Sequence, residues 1–403
     1  MYMSQWSSSR RSALFILCLA SFASIAFPKQ RIEFRRLPAG GVQPQLTVDA
    51  EDVVHVVYLA GEPKQADVYY IRSTNWGKSF SAPIRVNSQT GSAVASGTIR
   101  GAQLAVDAHG RVHVAWNGSS LAQPRGPLNP EMPADSPHNG TPMLYSRMAS
   151  EGAFEPQRNL MTRTFALDGG GSIAADSNGR VYVSWHGKAP DSDEGEGGRR
   201  VWLTTSSDHG ESFSEERAIS DDSTGACACC GMRLFVDSDD HLLALYRSAR
   251  DVVHRDVYVL RSEDQGKTFD DKLLHPWEIG ACPMSSMSFL EAGHSLLAAW
   301  ETAQQVYWAP IASDSPQTFA PISPPGDGDH RKHPVLARNG DGSTLLVWVS
   351  VAGWGKPGEL SWHVFSSEGK PVPSATNDLP KQAPPWSMAA VFSKPDGSFT
   401  IVY

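Results

Sequence analysis

Apolar and polar residues alternate along this chain in short runs, and Gly, Asp, Asn or Pro interrupts each run. A period of two marks half-buried β-strands, and no long stretch keeps the 3, 4, 7 spacing of an amphipathic helix. The runs also repeat. A polar turn followed by an alternating run that ends in an aromatic residue occurs as "VDAEDVVHVVY" to Tyr58, "VDAHGRVHVAW" to Trp116, "ADSNGRVYVSW" to Trp185 and "VDSDDHLLALY" to Tyr246. Weaker copies are "LEAGHSLLAAW" to Trp300, "RNGDGSTLLVW" to Trp348 and "SKPDGSFTIVY" to Tyr403. Each copy predicts a β-hairpin with the Asp-x-x-Gly segment as its turn.

A second motif runs in phase with the first. "SSDHGESF" (Ser206, Asp208, Gly210, Phe213) and "SEDQGKTF" (Ser262, Asp264, Gly266, Phe269) share one pattern, and "STNWGKSF" (Ser73, Asn75, Gly77, Phe80) fits with Asn for Asp. Each is a turn in which the Asp or Asn side chain bonds backbone amides and Gly takes positive φ. These turns resemble the Asp boxes, or BNR repeats, of sialidase-like β-propellers. The chain therefore resembles that superfamily, and more narrowly a group of secreted bacterial sialidase-like proteins, through "CACCG", "YRSARDVVHRDVYVLRSEDQGKTF" and "WEIGACP". The resemblance implies an all-β fold: a six-bladed β-propeller with four antiparallel strands per blade. Its last strand, ending at Tyr403, would complete a blade begun near the N-terminus and so remove the free sheet edge.

The N-terminus changes the picture of compartment. Arg10 and Arg11 precede an apolar run from Ala13 to Ala23 and the small residues Ser24-Ile25-Ala26, the layout of a secretory signal peptide over 1–26. The expected mature domain is 27–403, secreted or periplasmic, and Cys18 leaves with the signal. Removing the two arginines leaves 33 Lys and Arg against 43 Asp and Glu. A balance that acidic argues against nucleic acid or an anionic membrane surface as partner, and a monomer is expected.

In a blade, residues just before the first strand and just after the second gather at one mouth of the channel. The repeat turns (Asp49, Asp107, Asp176, Asp237, Glu291 and Asp341 or its neighbour) give the register. On that ruler Cys227, Cys229, Cys230 and Cys282 start the inner strands of blades four and five. They predict either one or two disulfides pinning the blades or a thiolate site for copper or zinc, although Cys-x-Cys-Cys lacks zinc-ribbon spacing; a free reactive thiol is the third reading. No other cofactor is expected. The same ruler brings Asn117, His186, Arg247 and Glu301 after second strands. It also brings Arg100, Asp168, His330, Arg331 and His333 before inner ones, with Arg250, Asp251, His254, Arg255 and Asp256 in a loop. Arg247, Arg100, Arg331 and Arg255 with His186, Asn117 and His333 form a candidate binding set for a carboxylate or sulfate. The "RSARDVVHRD" loop could equally pair its own charges. "GKAPDSDEGEGGRR" (Gly187 to Arg200) reads as a solvated loop or an acidic Ca²⁺ site.

Sialidase resemblance implies three arginines on the sugar carboxylate, a tyrosine–glutamate nucleophile and an aspartate acid/base. Arg36-Leu37-Pro38 is the nearest match to the first arginine motif, and no tyrosine starts an inner strand. Glu301 with Asp168 or Asp251 is the alternative carboxylate pair for hydrolysis. The expected function is binding, and where active exo-sialidase-like hydrolysis, of an anionic glycan at the mouth. A non-catalytic interaction propeller and a soft-metal thiolate site are the alternatives.

Overall fold

The chain closes into a ring of antiparallel sheets in a computed structural model that describes Met1 and residues 31–150, 152–193, 195–293, 295–311, 320–326, 328, 330–350, 353–372 and 381–403. Apart from Met1, the expected signal peptide lies outside these residues. Inner strands at Val42–Val48, Gln103–Val106, Ser172–Ala175, Arg233–Val236, Met287–Ala292, Lys332–Arg338 and Ala390–Ser393 follow one another around a central channel. There are seven of them, so the propeller has seven blades and not six. Each of the seven repeat copies is the inner hairpin of one blade, and the last does not complete an earlier blade. Instead Ala390–Ser393 and Phe399–Val402 form the inner hairpin of a blade of their own. The N-terminal strand Ile32–Arg35 then adds to it in parallel, pairing Ile32 with Phe399 and Arg35 with Val402. Closure through both termini is as expected; the blade being closed is the seventh.

The hairpin turns form as the sequence suggests. Asp49, Asp107, Asp176 and Asp237 each accept, through one carboxylate oxygen, the amides two and four residues on. In blade six Asn339 fills this role, accepting from the Ser343 amide. Asp341, the proposed ruler residue, is therefore displaced by its neighbour two positions earlier. In the outer turns of blades one, three and four, Ser73, Ser206 and Ser262 accept the amides of Gly77, Gly210 and Gly266. Asn75, Asp208 and Asp264 cap the same turns by accepting the amides of Ser79, Ser212 and Thr268. Those glycines have φ between 73° and 80°, where a Cβ is strained.

The core is not central. It consists of seven apolar seams between adjacent blades, and the repeat aromatics plug them. Trp116 lies between blades one and two, Trp185 between two and three, Tyr246 between three and four, and Trp300 between four and five. Trp348, Tyr403 and Tyr58 fill the next three seams in order. Truncating one such buried aromatic to Ala costs about 3–5 kcal/mol, so the seam residues dominate stability. Among the described residues no helix is long and apolar enough to cross a membrane.

The outer turns sit at the end of the ring where the inner hairpins turn. His209, in the outer turn of blade three, contacts the Asp107 carboxylate in the inner turn of blade two at 3.2 Å. The Cys227–Cys282 segments precede inner strands and lie at the opposite mouth. The face assignment therefore survives the change in blade number.

A chain that begins at Arg36 loses the third strand of blade seven and exposes the edge of Phe399–Val402. The expected outcome is loss of the single cooperative unfolding transition, or a Tm many degrees lower, by scanning calorimetry. An unchanged transition would show that the terminal pairing does not close the ring.

Candidate functional site

Two regions of the mouth differ in character. Over blades one to three, with Trp354 reaching in from a loop of blade six, lies an open groove of about 590 Å³ lined also by Lys64, Gln65, Arg100, Asn117, Asp168 and Arg199. Its walls come from loops before inner strands and between second and third strands. Arg100 donates from Nε to the Asp168 carbonyl at 2.8 Å and pairs through Nη2 with the Asp168 carboxylate. Asn117 donates to the carbonyls of Asp168 and Gly169 at 3.1 and 2.9 Å, holding the same segment from blade two. The run Gly169-Gly170-Gly171 is required by crowding. A Cβ at Gly170 would collide with the Ile99 carbonyl, and one at Gly169 with the carbonyls of Cys230 and Ala228. Asp168 nevertheless keeps 40% of its side chain exposed into the groove.

Trp354 is the aromatic of this groove. It is 63% exposed and packs edge-on against Trp386 at 6.1 Å, which leaves most of its ring in solvent. The sequence pattern offered no signal for it, because it lies outside every repeat copy.

Next to the groove, over blades three to five, lies the cysteine region. Cys229 is bridged to Cys282 with Cα atoms 6.4 Å apart, so one disulfide joins blades four and five. Cys227 and Cys230 are thiols, buried and with sulfurs 2.8 Å apart. With Cys229 committed to the bridge, the four-thiolate set considered from sequence is reduced to two. His186 donates from Nε2 to the Cys230 carbonyl, 2.7 Å away, and its Nδ1 has no partner among the described residues. Glu196 accepts from the Ala228 amide at 2.7 Å and from Arg255 at 2.6 Å. Burial opposes the charge on Glu196, but Arg255 and the Ala228 amide hold its carboxyl below the usual range. Glu196 and Arg199 belong to the loop that sequence treated as a solvated or Ca²⁺-binding stretch. The structure turns that loop inward as a wall of the mouth, and the apolar pattern gave no hint of it.

The remaining candidates are used inside the fold. Arg247 is fully buried, donating to Ser285 Oγ at 2.6 Å and to the carbonyls of Arg255 and Glu301, with its guanidinium over the Trp277 ring at 5.0 Å. Arg331 donates to Gln305 and to the carbonyls of Pro324, Pro325 and Gly326. Neither has a guanidinium face left for a ligand, which removes them from the proposed carboxylate clamp. Glu301 is buried, accepting from Lys332 Nζ at 2.8 Å and the His333 amide at 3.0 Å. His333 is buried with Nδ1 on Ser286 Oγ at 2.9 Å. Asp251 is exposed at a turn with φ of 52° and faces Arg250, apart from Asp168 and Glu301. Of the three candidate catalytic carboxylates, only Asp168 opens into the groove. Below the mouth, Arg233 reaches Gln45 at 2.7 Å and also Gln103, laying a polar floor across the channel.

No family model and no curated protein matches the chain. Among solved structures, a Penicillium chrysogenum α-L-arabinanase complexed with arabinobiose aligns at a TM-score of 0.51 and 13% identity, over 81% of this chain and 94% of the arabinanase. An α-L-arabinofuranosidase from Fusarium graminearum aligns at 0.51 and 10%, over 81% and 93%. A Trypanosoma rangeli sialidase aligns at 0.49 and 12%; this chain spans 53% of its length and is itself covered over 78%. The likeness is one of fold: a β-propeller of the kind on which glycosidases are built.

Burial holds the imidazoles of His186 and His333 neutral, down to about 4 from an ordinary 6.5, despite the carboxylates near each. The unfolded chain takes up these protons first, so stability is complete above pH 6.5 and falls as pH drops towards 4. The loss is expected to reach about 1.4 kcal/mol per pH unit for each histidine. Urea unfolding between pH 7.5 and 4.5 measures it, and His186→Gln should flatten the profile; an unchanged slope would show that His186 is not buried neutral.

Proposed function

We propose that this protein is a secreted glycan-binding propeller whose ligand, an acidic oligosaccharide, lies in the groove over blades one to three. One observation carries the reading: the groove sets Arg199, and Arg100 in its pair with the partly exposed Asp168 carboxylate, beside the exposed ring of Trp354. Guanidinium groups match a ligand carboxylate or sulfate, and an exposed indole offers the flat apolar face on which a sugar ring stacks. The shared fold with arabinan-acting enzymes supports a carbohydrate ligand without specifying it. The serine-capped outer turns, read as Asp boxes, serve the scaffold at the far face.

Binding is the part of the reading these residues support most directly. None of the described groove-lining residues is a tyrosine, and Glu301 is sequestered with Lys332. Hydrolysis in this groove would rest on Asp168 with a second carboxylate. Glu131, held by Lys188 between the lining residues Asn129 and Met132, is the acid so placed.

Calorimetry with sialylated and uronate oligosaccharides tests the proposal. Arg100→Ala is expected to weaken binding by about 1.5–3 kcal/mol, the range for a charged hydrogen bond. Trp354→Ala should cost roughly tenfold, as for loss of one stacked ring. Asp208→Ala, in a turn at the far face, should lower Tm and leave affinity unchanged. Failure of every acidic glycan to bind, or equal binding by wild type and both groove variants, would overturn the proposal.

A further inference from the structure

The stretch "GACACCGMR" makes a path of sulfur from the interior to solvent. The Cys227 amide donates to the Arg247 carbonyl at 2.8 Å, and the Cys230 amide turns back to the Cys227 carbonyl at 3.4 Å. That turn places the two thiol sulfurs 2.8 Å apart, in a Cys-x-x-Cys arrangement. Cys227 Sγ lies 3.7 Å from Cys229 Sγ, which is bonded to Cys282. Cys227, Cys229 and Cys230 are buried, whereas Cys282 is exposed. The order is therefore Cys230, Cys227, Cys229, Cys282, from inside to outside.

The surroundings suit one thiolate in the pair. The bond to Cys230 and burial keep the proton on Cys227, while, against its own burial, Cys230 is held low by that bond, Arg247 and Ser285. Arg255 has 4% of its side chain exposed and pairs with Glu196 through Nη2 alone; its Nε and Nη1 have no partner, and its charge acts on both Cys227 and Cys230. Ser285 Oγ donates towards Cys230 Sγ at 3.3 Å while accepting from Arg247. A cation with two open donors beside a dithiol stabilises the form that attacks a disulfide.

We propose that the four cysteines form one thiol–disulfide exchange site, in which the Cys227/Cys230 dithiol trades places with the Cys229–Cys282 bridge and Cys282 meets the thiols or disulfides of other molecules. The exchange balances without an external oxidant. Cys227 passes its proton to Cys230 across their 2.8 Å contact and attacks Cys229 Sγ, the bond to Cys282 breaks, and Cys282 leaves as a thiolate that takes up a proton. Cys230, deprotonated in turn, attacks Cys227 Sγ, and Cys229 leaves and is protonated. One disulfide and two thiols stand on each side. Given a low-molecular-weight disulfide, the freed Cys282 thiolate forms a mixed disulfide and releases one thiol. Cys229 then resolves it, releasing the second thiol and restoring the bridge. The small molecule is reduced by two electrons and the protein ends with both pairs oxidised.

The test uses the full protein purified without reductant. It is alkylated, digested and read by mass spectrometry before and after exposure to glutathione disulfide. In a fraction of wild-type molecules, Cys282 is expected to carry the alkyl label while the Cys227–Cys230 peptide keeps an internal disulfide. Cys230→Ser should reduce that labelling at least tenfold, and Cys229→Ser should accumulate glutathione on Cys282. Wild-type protein that gains a second disulfide and yields two glutathiones per disulfide consumed gives the same answer without any variant. Cys282 that never labels while Cys227 and Cys230 alkylate freely would overturn the proposal. So would thiols that label only after a chelator strips copper or zinc, which would make the pair a metal site.

Discussion

Everything at the mouth depends on the pairing of Ile32–Arg35 with Phe399–Val402. A propeller blade buries its two faces against its neighbours, so an open ring leaves two apolar faces in water. Here the faces that would be left are those sealed by Phe392 and Val402 against Val54, Val56 and Tyr58. The strand that prevents this comes from the opposite end of the chain, and it pairs in parallel, which no hairpin could provide. Parallel addition by a distant strand has a high entropy cost of loop closure, and it is recovered only when all seven seams are formed. The groove and the cysteine region are assembled from loops of blades that are ordered in this way. Neither exists in a partly closed ring.

Legibility in the sequence followed the physics of the repeat. Positions fixed by a local rule were readable: the alternating strands, the carboxylate-capped turns and the aromatic residue that plugs each seam. The blade number failed at the one place where local and global readings diverge. "SKPDGSFTIVY" looks like its six predecessors because it does the same job, filling a seam with Phe399 and Ile401. Assigning it to a shared blade discounted that likeness. The ruler slipped at Asn339 for a related reason, since Asn and Asp cap a turn equally well through an oxygen acceptor.

The site was legible only as an address. Counting from the turns correctly brought Asp168, Asn117 and Arg100 together, and placed Cys282 opposite the Cys227–Cys230 group. It could not say which guanidinium groups face outward. Arg247, at the end of a second strand, and Arg100, just before an inner one, are both assigned to this mouth by that ruler. One sits where Ser285 and two backbone carbonyls need donors; the other bonds Asp168 and the Ser96 carbonyl but stands at the groove wall, partly exposed beside a carboxylate that is itself 40% exposed. Glu196, Arg199 and Trp354 lie in loops without period, where sequence carries composition but no geometry. These residues separate a lining from a scaffold, and they could be found only in the folded chain.

The two halves of the mouth are mechanically joined. The Gly169 amide donates to the Ala228 carbonyl at 2.6 Å, directly between the groove's Asp168 and the first cysteines. His186 fixes the Cys230 carbonyl from the blade that carries Gly169, and Glu196 ties the Ala228 amide to Arg255. The peptide at Ala228 is thus held from both sides, by its carbonyl to the groove and by its amide to the ion pair. Asp168 is positioned through Gly169, so the peptide between Cys227 and Cys229 also braces the groove's carboxylate. The close packing that allows only glycine at Gly169 and Gly170 makes this coupling stiff, because no side chain is available to absorb a shift.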